Sequence, residues 1–292
     1  MVETGITAIV TAYKRHDQTV DTLRQLALCR PPPNEILIHV DGNQTECATI
    51  IRRAAPEIQV IVSEVNLGPG GARNKLIAAA RNEWVASFDD DSYPIDPDYF
   101  ARVAVLMTRF PEASILNASV YHQGEEILLA AEQRAEWVSD FIGCGCIYRR
   151  SAFLATTGYV PLTVAYGMEE VDMALRVCAM GGRIVWSPWL RVFHDTDLKT
   201  HANPAVTSGS IANTALLVFL RYPLVYWPIG LAQVLNRVRW LFYQGRIAGI
   251  LAGLAAIPRH CWQHRRFRQV VSRSALRSYL QLRRQPVPVD LS

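Results

Sequence analysis

The segment SFDDDSYP places three carboxylates side by side, at Asp89, Asp90 and Asp91. Adjacent carboxylates repel one another, and in a folded protein a bound cation commonly offsets that repulsion. Carboxylate oxygens favour Mg²⁺ or Mn²⁺, which often link protein carboxylates to the phosphates of a substrate. The alternative is a solvated acidic turn that caps the next helix, and the triplet alone does not separate the two.

A second candidate is the glycine-rich segment NLGPGGARN, which contains Arg73. Its glycines would let the backbone approach a ligand at a helix N-terminus, where backbone amides favour anions. Arg73 adds a positive charge. The segment has neither the Walker spacing nor the G-x-G-x-x-G fingerprint, and a tight turn between a strand and a helix explains it equally well.

Two further motifs carry groups that accept protons or bind metals. The segment YGMEEVD places Glu169, Glu170 and Asp172 in the first turn of a predicted helix, and VFHD places His194 after a strand. The acids have a plainer interpretation, because acids in a first turn interact favourably with the helix dipole and Asp172 can pair with Arg176. A lone histidine after a strand is usually structural, so His194 becomes a ligand candidate only beside the carboxylates.

The first 90 residues alternate short β-rich runs with helical stretches. The predicted strands are Ile6–Ala12, Glu35–Val40, Gln59–Val62 and Trp84–Phe88, and the predicted helices are Gln18–Cys29, Glu46–Ala54 and Gly71–Arg81. This alternation predicts βαβ units and a parallel sheet covered on both faces. Ligands of open α/β sheets bind beyond the carboxyl ends of the strands. The polar residues that follow each run therefore mark a candidate site.

The pattern loosens after residue 95. A helix is predicted from Asp96 to about Phe110 and another from Glu170 to about Met180. The predicted strands of this part are Ser114–Tyr121, Cys146–Arg149 and Ile184–Ser187. The length of 292 residues suggests about two units, for which we predict a catalytic domain over residues 1–200 and a helical region over 201–292.

The net charge of +4 hides an uneven distribution. From Leu198 to Val289 the chain carries thirteen basic residues and no acidic one, so an acidic body is joined to a basic tail. Such a tail suits an anionic surface, either a membrane or a nucleic acid. Its apolar stretches, Ile211–Leu235 and Ile247–Ile257, are interrupted or too short for the roughly 20 apolar residues of a spanning helix. We therefore expect helices that lie in a membrane interface.

The cysteines indicate a reducing compartment. None of the six forms a C-x-x-C pair, which argues against a zinc ribbon or a disulfide framework. The N-terminal segment has no basic stretch followed by an apolar run, so no signal peptide is expected. Together these features predict a cytoplasmic location.

Six motifs occur in order along the chain: TAYKR, VDG, NLGPGGARN, FDDDSYP, EEVDMALR and FHD. Together they resemble the inverting glycosyltransferases of family 2, over about residues 5 to 197. The resemblance implies an α/β protein of the GT-A fold, with a Rossmann-like, mostly parallel sheet flanked by helices and a basic amphipathic helical extension. It implies transfer of a sugar from a nucleotide-diphosphate donor, such as a UDP- or dTDP-sugar, to a hydroxyl of a glycan or lipid-linked acceptor.

The resemblance also implies roles for individual residues. Those for the nucleotide and its phosphates are Thr11, Tyr13, Asp41, Arg73, Asp89 and Asp90. Those for a divalent cation, Mn²⁺ or Mg²⁺, are Asp91, Asp89 and His194. Glu170 corresponds to the catalytic base, with its neighbours Glu169 and Asp172 as alternatives because the family more often has Asp at this position. Those for the acceptor are Trp137, Gly143 and Gly145.

Family relatives often build polysaccharides on lipid-linked carriers. The tail is therefore expected to hold the protein peripherally on the cytoplasmic face of the inner membrane, although a helical lid or a dimer contact explains it too. Two rival functions stay open. One is a sugar-nucleotide nucleotidyltransferase, which would usually place a basic glycine-rich loop after the first strand. The other is a nucleic-acid-binding protein, against which the apolar content and the lack of a known binding motif argue.

Overall fold

The computed structural model describes residues 5–162, 164–196 and 203–289. Within these ranges the strands are β1 (Ile6–Ala12), β2 (Glu35–Val40), β3 (Gln59–Val62), β4 (Trp84–Asp89), β5 (Ser92–Pro94), β6 (Ala113–His122), β7 (Glu136–Val138), β8 (Cys146–Arg149), β9 (Arg183–His194) and β10 (Val287–Pro288). The helices are α1 (His16–Leu28), α2 (Thr45–Ala54), α3 (Gly68–Ala79), α4 (Tyr99–Arg109), α5 (Arg150–Leu154), α6 (Glu169–Ala179), α7 (Pro204–Arg221), α8 (Trp227–Tyr243), α9 (Ile250–His264) and α10 (Arg273–Arg284).

The described strands form one mixed sheet in the order β10-β7-β9-β6-β8-β4-β1-β2-β3, with β5 paired to β9. The parallel part consists of β4, β1, β2 and β3, as the alternation of the first 90 residues predicts. Strand β8 joins it antiparallel to both β4 and β6. Because β1 lies between β2 and β4, the polar residues that follow these three strands meet at one edge of the sheet.

Strand β1 shows why the sheet is covered on both faces. All seven of its residues are buried. Ala8 and Val10 pack with α1, α2 and α4 on one face, whereas Ile9 packs with α3, α6 and α7 on the other. Side chains along a strand alternate between faces, so an uninterrupted apolar run is what a strand between two helical layers requires.

The strand predicted over Ile184–Ser187 is longer in the structure. It begins one residue earlier and continues through Pro188 to His194, as β9. Its parallel pairing with β6 breaks between Trp186 and Arg191, where the register shifts. Proline lacks an amide donor and is tolerated at such an irregularity. The strand therefore resumes beyond it and delivers His194 to the edge of the sheet where the polar residues meet.

The C-terminal helices share the core of the preceding residues. Leu216 and Leu220 of α7 and Leu276 of α10 belong to the same buried cluster as Leu175 of α6. Strand β10 pairs with β7 at the end of the sheet. The division into two units at residue 200 thus stays a prediction. The hydrophobic packing is continuous between the described residues on either side of it. Among the described helices, none combines the length and the apolar character that crossing a membrane requires.

Candidate active site

A cleft of about 810 Å³ opens at the carboxyl ends of β1, β2 and β4. It brings together eleven of the fourteen candidate residues predicted from the sequence: Thr11, Tyr13, Asp41, Arg73, Asp89, Asp90, Asp91, Gly143, Glu169, Glu170 and His194. These residues come from seven separate segments of the chain. Their convergence follows from the strand order, because each segment follows or flanks an element whose end lies at this edge.

Asp41 lies at the end of β2 and organises the glycine-rich segment. Its carboxylate accepts hydrogen bonds from the hydroxyl of Ser63 at 2.8 Å and from the backbone amides of Leu67 at 2.8 Å and Gly68 at 2.9 Å. Gly68 has φ +69°, which an L side chain rarely adopts. The hydrogen bonds to Asp41 hold this turn in place. Asp41 is 5% exposed, and the exposed part of its surface borders the cleft.

The buried Arg73 and the half-buried Asp89 form an ion pair in the lining of the cleft. The Arg73 guanidinium donates to Asp89 Oδ1 at 2.5 Å and to the hydroxyl of Ser87 at 3.0 Å. Thr11, on the adjacent strand β1, donates to the same Oδ1 at 3.0 Å. The bonds from Arg73 and Thr11 both end on Oδ1 of Asp89. The second carboxylate oxygen, Oδ2, is therefore the one that can face a cation or a ribose hydroxyl.

Asp90 and Asp91 differ in their surroundings although they are adjacent. Asp90 accepts the backbone amide of Tyr13 at 3.2 Å, and burial, reinforced by the charge of Asp91, raises its pKa to about 7. Asp91 is also buried, which by itself opposes ionisation. Its bonds with His194, at 3.1 Å from Nε2, and with Arg15 nevertheless hold its pKa below the usual range. The triplet is thus partly neutralised by the protein's own groups.

One carboxylate of this triplet lies close to a thiol and an imidazole. Ligand atoms of Asp89, Cys144 and His194 all lie within 4.8 Å of one another. The Sγ atom of Cys144 is 3.6 Å from His194 Nδ1. These groups, together with Asp91 at the other ring nitrogen, are a donor set that suits a divalent cation.

Glu169 and Glu170 open helix α6 and line the same cleft. Glu169 is 3% exposed, and among the described residues its Oε1 has no hydrogen-bond partner. Burial, reinforced by the charge of Glu170, raises the pKa of Glu169 well above its usual range. Burial also raises the pKa of Glu170, but the charge of Arg73 opposes that effect. The environment of Glu169 therefore favours the protonated form more strongly than the environment of Glu170 does.

Gly143 brings the main chain close to Glu170. A Cβ built there would lie 2.9 Å from Glu170 Oε1 and 3.1 Å from Arg73 Cζ, which is too close for a side chain. The residue lies in a turn at 143–145 that precedes β8. Gly143 borders the cleft, and a side chain added there would have to displace Glu170 or Arg73.

Three of the predicted site residues do not line the cleft. Asp172 is 1% exposed and points into the core, where it pairs with Arg176 and Arg221, so it is not placed to act as a base. Trp137 is buried in β7 between Phe110 and the guanidinium of Arg183, so it is core rather than an acceptor wall. Gly145 packs instead against side chains of β6 and β9, because a Cβ there would meet Val120 at 2.7 Å and Val192 at 3.5 Å.

The structure adds cleft residues that the sequence analysis missed. Arg15 bonds Asp91, and its place directly after β1 was visible in the TAYKR motif. Cys144 was not singled out by the sequence analysis. Arg237 reaches the cleft from α8, in the tail for which the sequence analysis expected a membrane role, with a helical lid or a dimer contact as alternatives. No local signal marks Cys144 or Arg237, because their neighbours in the fold are distant in the chain.

Comparison with known proteins agrees with this geometry. A family model described as "Glycosyl transferase family 2" matches residues 7–155, just over half of the chain. The chain belongs to glycosyltransferase family 2. The matched region carries the first four of the six motifs, from TAYKR to FDDDSYP, whereas Glu169, Glu170 and His194 lie beyond it.

Two curated relatives of this family-2 chain are named for the synthesis of succinoglycan and of poly-beta-1,6-N-acetyl-D-glucosamine. The succinoglycan biosynthesis protein ExoO of Rhizobium meliloti is 32% identical over 100 residues, which is 34% of this chain and 28% of the relative. The poly-beta-1,6-N-acetyl-D-glucosamine synthase of Staphylococcus epidermidis is 28% identical over 153 residues, which is 52% of this chain and 36% of the relative. The matches thus span about a third of the length of these relatives.

Among solved structures, the mannosyltransferase PcManGT of Pyrobaculum calidifontis, in complex with GDP-Man and Mn²⁺, superposes with a TM-score of 0.58. The alignment covers 96% of this chain and 87% of that one at 14% identity. At this identity the likeness shows the fold alone. The family-2 chain therefore has the GT-A fold, as the sequence motifs predict.

Proposed function

We propose that this chain is an inverting glycosyltransferase. In this proposal a hexose or deoxyhexose moves from a nucleotide-diphosphate donor, such as a UDP- or dTDP-sugar, to a hydroxyl of a glycan or lipid-linked acceptor. The observation that carries the proposal is one cleft that is lined by the acidic triplet, by His194 and by Glu170. Family membership supports the reaction class.

The donor side of the cleft supplies charged and polar groups for a nucleotide diphosphate. Thr11, Tyr13 and Asp41 border the part that would receive the nucleoside, and Arg73 stands beside Asp89. The residues that would hold a divalent cation, Mn²⁺ or Mg²⁺, are drawn from Asp89, Asp91 and His194. When bound there, such a cation supplies a Lewis acid that stabilises the charge of the departing diphosphate.

The acceptor side holds the base. Glu170 would take the proton of the attacking hydroxyl while that oxygen adds to the anomeric carbon from the face opposite the departing diphosphate. Inversion follows from this single displacement, and no covalent intermediate is required. The raised pKa of Glu170 suits this task, because a base works best when its pKa approaches the working pH.

The names of the relatives suggest an acceptor in polysaccharide synthesis. The C-terminal helices suit a lipid-linked version of that acceptor. Exposed apolar side chains and exposed arginines occur together on α8 and α9, for example Leu231, Leu251 and Arg259. We propose that this surface rests peripherally on the cytoplasmic face of the inner membrane and brings the cleft to its acceptor.

A screen of nucleotide sugars tests the function. The chain is incubated with UDP-, dTDP- and GDP-sugars, with and without Mn²⁺, and its melting temperature is measured. The proposal predicts that one donor raises the melting temperature in the presence of Mn²⁺ and that adding an acceptor then releases a nucleoside diphosphate. Release of pyrophosphate would instead identify a nucleotidyltransferase, and stabilisation only by oligonucleotides would indicate nucleic-acid binding.

A further inference from the structure

The turn at residues 143–145 presents a thiol to the acidic triplet. Cys144 is 3% exposed yet lines the cleft, with Sγ 3.6 Å from His194 Nδ1. Its ligand atom and those of Asp89 and His194 lie within 4.8 Å of one another. We infer that Asp89, Cys144 and His194 form a mixed oxygen, sulfur and nitrogen site that binds a first-row transition cation in preference to Mg²⁺. This inference deepens the proposed function and rests on it only for the role of the cation in catalysis.

The second nitrogen of the histidine supports this assignment. His194 Nε2 lies 3.1 Å from Asp91 Oδ1. A metal-binding histidine characteristically donates its other ring N–H to a carboxylate, which selects the tautomer and orients the ring. With Nε2 donating to Asp91, Nδ1 carries the lone pair that can bind a cation. Nδ1 is also the nitrogen that faces the sulfur of Cys144. Asp91 would then orient His194 rather than bind the cation itself.

The backbone holds the thiol in this position. The carbonyl of Cys144 accepts a hydrogen bond from the Ser92 hydroxyl at 3.2 Å, and Ser92 Oγ also lies 2.7 Å from the backbone nitrogen of Asp89. The glycines on either side of Cys144 permit this close approach, since a Cβ on either would fall within 3.0 Å of a neighbouring side chain. A hydrogen bond to its main chain thus joins Cys144 to the acidic turn that contains Asp89.

The composition of the site predicts its selectivity. Thiolate and imidazole ligands favour zinc and other first-row transition cations, whereas Mg²⁺ favours oxygen ligands alone. Three protein ligands with an open position are typical of a site that also accepts a substrate atom. On binding, the thiol proton of Cys144 passes to solvent and a sulfur–metal bond forms.

Cobalt(II) alone is the probe for the test. Added to the metal-free chain, Co²⁺ is expected to produce a sulfur-to-metal charge-transfer absorption in the near ultraviolet. The absorption should be lost in Cys144→Ser and retained in Cys146→Ser, the matched control, whose buried thiol lies two residues away. In equilibrium dialysis Cys144→Ser should weaken Zn²⁺ binding at least about tenfold and leave Mg²⁺ binding nearly unchanged.

A measurement on the unaltered chain guards against a variant that fails to fold. X-ray absorption of the zinc-loaded protein should show one sulfur neighbour at about 2.3 Å. Bound zinc without a sulfur neighbour, or a charge-transfer band that persists in Cys144→Ser, would overturn the inference. If sugar transfer proceeds with Mn²⁺ but no sulfur bond forms, the proposed function stands without this site. If the sulfur bond forms and no donor is turned over, the site stands without that function.

Discussion

The two glutamates that open α6 show how environment assigns different roles to neighbouring identical side chains. Glu169 is enclosed beside Gly70, where a Cβ would lie 2.5 Å from its Oε1, and burial raises the pKa of its carboxyl well above the usual range. Burial also raises the pKa of Glu170, which lies against Gly143, but the charge of Arg73 opposes that effect and favours the charged form. Different surroundings of this kind separate the acid and base roles of two carboxyl groups.

Replacing Glu170 by glutamine should remove most of the transfer rate and spare donor binding. General base assistance is typically worth about 10²–10⁴-fold, so kcat is expected to fall by that factor. Steady-state kinetics and donor titration calorimetry would measure the two effects. Glu57→Gln, an exposed glutamate in another part of the chain, is the control and should match the parent. Near-normal kcat in Glu170→Gln would mean that another group is the base.

The pH dependence of the reaction should report the same residue. Because burial raises the pKa of Glu170, its proton is retained to a higher pH than in a free side chain. As the pH falls through that raised value the base becomes protonated and kcat/KM declines. The acid limb of the profile should therefore have an apparent pKa above the ordinary value of about 4.3. A limb at or below that value, or one that donor binding follows equally, would contradict the assignment.

At the scale of elements, a buried ion cluster joins α6, the helix that carries Glu170, to the C-terminal region. Asp172 of α6 accepts Arg176 Nε at 3.0 Å and also pairs with Arg221 of α7. Arg221 is 0% exposed, and its remaining nitrogen donates to the carbonyl of Phe267 at 2.7 Å. One carboxylate thus compensates two guanidinium groups in the core and ties three segments together.

Removing the carboxylate should therefore cost more than removing one arginine. Asp172→Asn leaves two buried cations without a counter-charge, and we expect a loss of about 3–5 kcal/mol in the free energy of unfolding. Arg221→Met leaves Asp172 paired with Arg176 and should cost less. Urea unfolding measures both.

Arg24→Met provides the control for these variants. Its ion pair with Asp21 is largely exposed, and such pairs contribute about 0–1 kcal/mol. If Asp172→Asn unfolds at the same urea concentration as Arg24→Met, the cluster does not stabilise the fold. The reverse order of Asp172→Asn and Arg221→Met would contradict the charge argument.

For the whole molecule, the distribution of charge and of exposed apolar surface is asymmetric. Side chains such as Phe242, Tyr243, Leu251 and Trp262 are 59–81% exposed. The same region has no acidic residue between Leu198 and Val289. Basic residues near an anionic bilayer contribute about 1 kcal/mol each, and aromatic side chains suit the headgroup level.

The chain should therefore float with anionic vesicles and not with neutral ones. The triple variant Arg259→Gln, Arg265→Gln and Arg266→Gln is expected to weaken this binding by more than about tenfold. The matched control replaces three exposed arginines of the N-terminal half, Arg24, Arg30 and Arg53, by glutamine. Equal flotation of the two triple variants, or no binding of the parent chain to anionic vesicles, would contradict the membrane proposal.

The sequence by itself determined the local elements and the residues at their ends. Strands β1, β2, β3 and β8 have the predicted bounds, because a short β-rich run between turn residues leaves few alternatives, in the buried strands as in the less buried edge strand β3. The acidic triplet and the Glu169–Glu170 pair were recognised as candidates because their positions, after a strand and at a helix start, are local properties of the sequence.

Only the tertiary structure decided which of these groups face one another. Asp172 follows Glu170 by two positions, yet the helical rotation turns it into the core, where Arg221 meets it. Cys144 and His194 are 50 residues apart and touch because β8 and β9 both flank β6. Strand order and packing between distant segments set these contacts. Local sequence patterns do not predict these contacts, because the contacts form only when distant segments pack together.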